Sequence, residues 1–224
     1  MTFSIAARCA RTGQLGIAVS SSSPAVAARC AHVRAGVGAV CSQNITDPRL
    51  GPAALDLMAL GASAPQTLDV LTHSREHIAF RQLAALDAQG QGAAFSGSEV
   101  LGTHAAWLGR DCVAAGNMLA DTGVPPAMVA AFEQAPGELG ARLMAALRAG
   151  LSAGGEAGPV RSAGLLIAGD APWPMTDLRV DWDETDPVAQ LEALWVRWAP
   201  QATAYITRAL DPSGAPSYGV PGDP

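Results

Sequence analysis

The chain opens with two short runs of mostly apolar residues separated by a polar turn. Residues 3–8 and 15–22 predict two strands, and Arg11–Gln14 between them contains the glycine that a tight hairpin requires. The second run is apolar at nearly every position, which is typical of a strand covered on both faces. A third run of small and apolar residues, Ala35–Gln43, ends on polar groups and predicts a further strand.

A helical period follows in two pairs of segments. The first pair is Pro52–Leu60 and Ala64–Thr72, and the latter begins after Ser63 as N-cap with Pro65 at the first helical position. The second pair is predicted at Pro125–Gln134 and Glu138–Ala149.

A period of two returns between and after the helix pairs. It predicts strands at Arg81–Asp87, Ala93–Ser96, Ala105–Leu108, Asp111–Asn117, Ala163–Ala168 and Leu178–Trp182. A single long helix is predicted from Pro187 to Ala209, capped by Asp186, and residues 211–224 form a tail too rich in proline and glycine for regular structure. This order predicts one α+β domain over residues 1–210, a layered sandwich with sheets inside and helices outside.

Composition and charge narrow the choice of partners. Apolar residues make up 49% of the chain, charged residues 15%, and the net charge is −6, so we expect neither nucleic acid nor an anionic membrane surface as a partner. The amino-terminal segment has no apolar run of signal-peptide length. The four cysteines are widely spaced, which favours reduced thiols and, with the missing signal, a cytoplasmic location.

All 14 basic residues are arginine, and the absence of lysine excludes several chemistries. A pyridoxal Schiff base and a P-loop both need a lysine, so we expect no such cofactor. We expect no metal either, because His73 and His77 lack a third ligand and the acidic residues between Asp177 and Asp186 lack the spacing of a calcium loop.

Six segments carry a resemblance to a known family. They are MTFSIAARCARTGQLGIAVSSS, AGVGAVCSQNITDPRLG, RQLAALDAQG, GNMLA, GGEAGPVRSA and LRVDWD, in this order from Thr2 to about residue 187. In their order and spacing the chain resembles the family known as domain of unknown function 1028. The resemblance implies an N-terminal-nucleophile hydrolase fold, a four-layer αββα sandwich of two antiparallel sheets between helical layers, and it implies no particular substrate.

One motif departs from the family pattern. The family commonly reads Gly-Gly-Asp-x-Arg-Gly-x-Gln-Ser-Ala, whereas residues 154–163 here read GGEAGPVRSA. The acid is present as Glu156, the first arginine of the pattern is missing, and Arg161 stands where glutamine is common. Substrate specificity is therefore not carried over from this loop.

The fold implied by the resemblance makes Thr2 the candidate nucleophile. Its hydroxyl would react once Met1 is removed, and its own α-amine, which titrates near pH ~8, would take the proton. The alternative is that Thr2 is an ordinary β-branched residue at the start of a strand.

Six further residues are candidates for the same site. Asn117 follows a glycine at a strand end and could donate to an oxyanion, although it could equally cap its own backbone. Ser20 and Gln43 end strands that would flank the first one and could position the reacting group. Arg81, Arg34 and Gln82 are the candidate substrate-binding residues, with the arginines as carboxylate clamps.

Two classes of function remain open beside a structural role. The first is an amidohydrolase that cleaves a C–N bond in a small metabolite, with Thr2, Asn117, Ser20 and Gln43 as its catalytic residues. The second is a non-catalytic small-molecule-binding protein on the same fold. The apolar stripe of Trp195, Trp198 and Tyr205 fits ordinary core or a homodimer face, and the apolar composition leads us to expect a homo-oligomer, most simply a dimer.

Overall fold

Ten strands and seven α-helices make up the part of the chain that the computed structural model describes, residues 1–221. The strands are β1 (Thr2–Arg8), β2 (Leu15–Ser21), β3 (Ala31–Arg34), β4 (Gly38–Asn44), β5 (Arg81–Asp87), β6 (Gly92–Ser96), β7 (Ala105–Gly109), β8 (Cys112–Asn117), β9 (Ser162–Ala168) and β10 (Pro174–Val180). The helices are α1 (Val26–Cys30), α2 (Leu50–Ala59), α3 (Ala64–Ser74), α4 (Val124–Gln134), α5 (Leu139–Ser152), α6 (Pro187–Trp198) and α7 (Ala202–Leu210).

The strands form two antiparallel sheets. The first sheet has six strands in the order β10-β9-β2-β1-β8-β7, and the second has four in the order β3-β4-β5-β6. The strand β1 lies inside the first sheet, paired with β2 on one side and β8 on the other. Its first residue, Thr2, is the register partner of Asn117.

Three layers of buried side chains hold the two sheets and their helices together. One layer joins the first sheet to α4, α5 and α6, a second lies between the two sheets, and a third joins the second sheet to α2 and α3. The architecture is therefore a four-layer α+β sandwich with helices on the outside, which confirms the predicted fold class.

Alternation along the strands decides which side chains face the middle layer. On β1, Phe3 and Ile5 face the helices, whereas Ala6 faces the second sheet. Because successive side chains point to opposite faces, Thr2 and Ser4 share the orientation of Ala6. By the same alternation, polar side chains from five other strands, β2, β4, β5, β6 and β8, point into the middle layer at this end.

Local sequence signals fix several boundaries as predicted. The β1–β2 turn contains Gly13 with a positive φ of 72°, and it is closed by a bond from Cys9 N to Gln14 O at 2.8 Å. Ser63 and Gln66 form a reciprocal capping box at the start of α3. Asp186 caps α6 by accepting a hydrogen bond from Ala189 N at 2.9 Å.

Three predicted elements are wrong in extent. The strand predicted at Ala35–Gln43 is β4, which begins three residues later at Gly38, because residues 35–37 form the turn of a hairpin between β3 and β4, with Gly36 at a positive φ of 67°. The strand placed at Leu178–Trp182 is β10, which begins four residues earlier at Pro174. The helix from Pro187 to Ala209 is divided into α6 and α7, because Pro200 cannot donate a backbone hydrogen bond and the chain forms a 3₁₀ turn there.

The segment after α7 packs back onto that helix. The Tyr218 ring lies 6.0 Å from the Tyr205 ring, and the guanidinium of Arg208 lies 3.8 Å from the Tyr218 ring centre. Pro212–Gly214 forms a 3₁₀ turn within the predicted tail, and residues 222–224 of that tail lie outside the described residues.

Across the described residues, none of the helices combines the length and apolar character needed to cross a bilayer.

Candidate functional site

Thr2 lies at the polar end of the middle layer and is almost fully enclosed. Only 4% of its surface is exposed. Its hydroxyl is 3.3 Å from Ser21 Oγ, and both hydroxyls are within hydrogen-bonding distance of the Met1 carbonyl oxygen. The carbonyl group that precedes Thr2 thus lies between two hydroxyl donors.

The second strand contributes Ser21 to this group, and Ser20 faces away from it. Ser20 is the register partner of Phe3, and its hydroxyl donates to Ser162 O at 2.9 Å. The two adjacent serines therefore point to opposite faces of the sheet. The structure does not bring Ser20, the serine singled out in the sequence, to the Thr2 hydroxyl.

A chain of buried polar side chains continues from β1 across to the second sheet. Ser4 Oγ donates to Gln43 Oε1 at 2.8 Å, and Gln43 Nε2 donates to Gln82 Oε1 at 2.8 Å. Gln82 Nε2 in turn donates to Ser96 Oγ at 3.0 Å and to the carbonyl oxygen of Gly116 at 2.9 Å. All these partners except Ser96 are fully buried, so the network fixes the relative position of the two sheets at this end.

Asn117 connects this network to Thr2. Its backbone pairs with Thr2, and its Nδ2 donates to Gln82 Oε1 at 3.0 Å. Its Oδ1 is buried and has no hydrogen-bond partner within the described chain. Asn117, Gln43 and Gln82 are thus brought together with Thr2 at one end of the sandwich, with Gln82 as the shared acceptor.

A glycine-rich loop brings Glu156 to the same end. Both carboxylate oxygens of Glu156 lie 3.1 Å from Ser22 N, which donates to them. Burial raises the pKa of Glu156 to about 7, and the positive charge of the Met1 amino terminus and the hydrogen bonds from the side chain and backbone of Ser22 act in the opposite direction. Two backbone bonds, from Ala120 to Gly155 and from Ala157 to Met118, tie the loop to the segment after β8.

Arg81 lies on the other side of the second sheet. On β5, Leu83 and Ala85 face α2 and α3, and Arg81 shares their orientation, whereas Gln82 faces the middle layer. Arg81 donates to the carbonyl oxygen of Ile45 and lines an outer cleft of about 780 Å³. This cleft also contains Asp47, whose pKa is lowered to about 2, chiefly by the side-chain hydrogen bond from Arg49.

Arg34 is distant from both places. It ends β3 and is the register partner of Gly38, five residues along β4 from Gln43. Its guanidinium donates to Asp56 at 2.9 Å on the surface. The structure therefore does not group Arg34 with Thr2, Gln43 or Gln82.

Ser4, Ser21, Ser96 and Glu156 belong to the site without having been assigned to it from the sequence. Ser4 could have been assigned from the sequence, because a residue two positions after Thr2 on a strand lies on the same face of the sheet. Ser21 and Ser20 could not be distinguished, since β2 is apolar on both faces and shows no alternation. Ser96 and Glu156 are distant in sequence, and only the pairing of elements brings them near.

The described residues contain no group of three or more His, Cys, Asp or Glu side chains arranged to hold a metal ion. The polar groups around Thr2 are hydroxyls, amides and one carboxylate, a set suited to hydrogen bonding and proton transfer.

Comparisons with known proteins identify the family. Residues 2–191 match the family described as "Family of unknown function (DUF1028)". The crystal structure of protein SPO2555 from Silicibacter pomeroyi, assigned to the same family, is similar with a TM-score of 0.83 and 31% identity, over 88% of this chain and 89% of that one.

Two further solved structures are more distant. Anbu (ancestral beta-subunit) from Yersinia bercovieri aligns with a TM-score of 0.41 and 10% identity, over 90% of this chain and 96% of that one. An Anbu (Gly-1) mutant from Hyphomicrobium sp. strain MC1 aligns with a TM-score of 0.43 and 13% identity, over 91% and 97%. The curated proteins gave no match. The match over residues 2–191 and the 31% identical relative show that this chain belongs to the DUF1028 family.

Proposed function

We propose that this protein is an N-terminal-nucleophile amidohydrolase that cleaves a C–N amide bond in a small metabolite. The nucleophile is the Thr2 hydroxyl in a chain from which Met1 has been removed, and the base is the α-amine of the same residue. The observation that carries the proposal is the position of Thr2. It begins a strand inside the six-stranded sheet, and its hydroxyl lies in the middle layer 3.3 Å from Ser21 Oγ.

The reaction uses two groups of Thr2, its α-amine and its hydroxyl, in successive steps. The α-amine accepts the hydroxyl proton while Thr2 Oγ1 bonds to the amide carbon, and the ammonium then gives that proton to the leaving nitrogen as the C–N bond breaks. Water hydrolyses the resulting ester, with its proton passing through the amine back to Thr2 Oγ1. An unperturbed α-amine has a pKa near ~8, so an appreciable fraction is unprotonated at neutral pH.

The space beside Thr2 supports binding of a carbonyl compound there. Met1 places its carbonyl oxygen within reach of the Thr2 and Ser21 hydroxyls, and its side chain extends toward Gly158, where a Cβ would lie 3.6 Å from Met1 Cε. In the trimmed chain this volume is open to substrate, and Ser21 Oγ is a donor for the substrate carbonyl.

Asn117 is the proposed oxyanion donor, and Gln43 and Gln82 position it. Asn117 Nδ2 donates one hydrogen to Gln82, and the proposal assigns its second hydrogen to the developing negative charge. A well-placed donor of this kind contributes on the order of 3 kcal/mol to transition-state stabilisation.

A binding role without catalysis is the alternative, and the outer cleft favours it. The cleft has a volume of about 780 Å³ and is lined by charged side chains of both signs, which suit a polar small molecule: Arg49, Arg75 and Arg81 with Asp47, Asp56 and Glu76. In that case the protein would bind such a molecule on the outer face of the second sheet, and Thr2 would be a structural residue.

Intact mass followed by labelling with a β-lactone tests the proposal. We expect the mature protein to lack one methionine residue and to be acylated once, at Thr2. Thr2→Ala should lower labelling by more than about 1,000-fold, and Thr2→Ser should retain it, because removing a nucleophile leaves only the background reaction. Thr12→Ala is the matched control, since Thr12 is exposed in the β1–β2 turn.

Two results would contradict the proposal. Retention of Met1 in the mature protein would leave no α-amine on Thr2. Equal labelling of the wild type and the Thr2→Ala variant, with unchanged circular dichroism, would show that another group reacts.

A further inference from the structure

Glu156 is a buried acid with few partners. Asp87 and Glu156 are the two buried acidic side chains within residues 1–221. Asp87 accepts backbone hydrogen bonds from Ala64, Gln89 and Gln91, whereas the hydrogen bonds to Glu156 come from one residue, Ser22, through its backbone N–H and its side chain. Because a buried carboxylate is costly unless it is paired, the ionised form of Glu156 would be stabilised by a cationic partner.

The position of Glu156 in the fold determines which cationic group can form an ion pair with its carboxylate. Its loop crosses the end of the first sheet where β1, β2 and β8 present Thr2, Ser21 and Asn117. Positive φ angles of 115° and 57° at Gly154 and Gly155 let the chain turn sharply enough to deliver the carboxylate there.

The charged group that acts on Glu156 in this structure is the amino terminus, the α-amine of Met1, which is one residue away from the amine that removal of Met1 would expose on Thr2. The positive charge of the Met1 amine lowers the pKa of Glu156 and so opposes burial. The nearest arginine in sequence, Arg161, is directed elsewhere, since its guanidinium pairs with Glu184 at 3.2 Å and lies 5.9 Å from the Trp182 ring.

We infer that Glu156 is the positioning residue that holds the free α-amine of Thr2 beside its own hydroxyl. The inference rests on the proposed function for the identity of the terminal residue. The carboxylate accepts a hydrogen bond from the amine and stabilises the ammonium that forms when the amine takes the hydroxyl proton. Its role corresponds to that of the carboxylate that orients a histidine base in a catalytic triad.

The absence of lysine makes a direct test possible, because the α-amine is the only primary amine in the protein. Reductive methylation of the mature protein with ¹³C-formaldehyde gives one dimethylamine signal, whose chemical shift against pH reports the amine pKa. We expect Glu156→Gln to lower that pKa by about one unit, because an opposite charge nearby favours the charged amine.

Two variants serve as controls. Glu156→Asp keeps the charge and should retain most of the wild-type amine pKa. Glu138→Gln removes an exposed carboxylate beside the β1–β2 turn, at the other end of β1, and should leave the amine pKa unchanged. In the wild type the same signal should show a second inflection as Glu156 titrates, which gives a readout even if Glu156→Gln does not fold.

The outcomes separate this inference from the proposed function. An unchanged amine pKa in folded Glu156→Gln, or a wild-type titration with a single inflection, overturns the pairing. Thr2→Ala keeps an α-amine at the same position, so it should show the same pairing while losing the β-lactone label. Normal labelling of Thr2→Ala would overturn the hydrolase and leave the pairing intact.

Discussion

At the scale of single residues, Ser20 and Ser21 have the same chemistry and opposite surroundings. Ser21 Oγ lies 3.3 Å from the Thr2 hydroxyl, whereas Ser20 Oγ donates to Ser162 O on the helix-facing side. Ser162 in turn donates to Ser23 O at 2.6 Å, so Ser20 helps to hold the loop that follows β2. Only one of the two hydroxyls can therefore act on Thr2.

We expect Ser21→Ala to slow acylation of Thr2 by the β-lactone about fivefold, which corresponds to one hydrogen bond of about 1 kcal/mol. The rate of labelling by mass spectrometry checks this. Ser20→Ala is the control: it should reduce the free energy of unfolding by about 1 kcal/mol and leave the labelling rate unchanged. The reverse pattern would mean that Ser20 faces the site.

At the scale of elements, the contact between α5 and α6 depends on a glycine. A Cβ at Gly140 would lie 2.3 Å from Cη2 of Trp195 and 2.5 and 2.6 Å from the two neighbouring ring atoms. Elsewhere in a helix an alanine is more favourable than a glycine by about 1 kcal/mol. The indole of Trp195 reverses that preference, because α6 could approach α5 this closely only over a residue without a side chain.

We therefore expect Gly140→Ala to destabilise the protein by about 1–3 kcal/mol, in the range of an overpacked core position. Urea unfolding measures this change. Trp195→Leu removes the clash, so the cost of Gly140→Ala should be much smaller in the double variant than in the wild type. Additive effects would indicate that the two residues do not touch.

At the scale of the whole molecule, the buried Glu156 links global stability to pH. Its pKa is raised from 4.5 to about 7, so the folded protein binds this proton more tightly than the unfolded chain. The stabilisation is fully present below pH 4.5 and is lost as the pH rises through 7. The lost amount is up to about 3 kcal/mol, at 1.36 kcal/mol per pKa unit.

The corresponding prediction compares two pH values. Between pH 5 and pH 8 the free energy of unfolding should fall more in the wild type than in Glu156→Gln, by up to about 3 kcal/mol. Urea titrations of both proteins at both pH values measure the difference. Glu138→Gln should follow the wild type, and parallel pH profiles for wild type and Glu156→Gln would show that the carboxyl is not perturbed.

Most elements of the sandwich were predictable because their signals are local. The glycine in the β1–β2 turn, the capping box at Ser63 and the Asp186 cap act within a few residues. The elements whose bounds differ from the prediction depend on pairing with distant strands or on a single helix-breaking residue. The hairpin turn at Gly36 was not predicted because it lies in a run of small and apolar residues. The break at Pro200 was not predicted because the helical period is otherwise continuous there.

The amino-acid sequence by itself determined the α+β class, the antiparallel hairpins, the helix caps and the polar ends of the strands, because these follow from periodicity and from interactions between near neighbours. Only the tertiary structure decided that Gln43, Gln82, Asn117, Ser21 and Glu156 meet around Thr2 and that Arg34 and Arg81 do not. The physical reason is that each strand offers two faces, and the packing of one sheet on another, not the strand itself, decides which face meets the site.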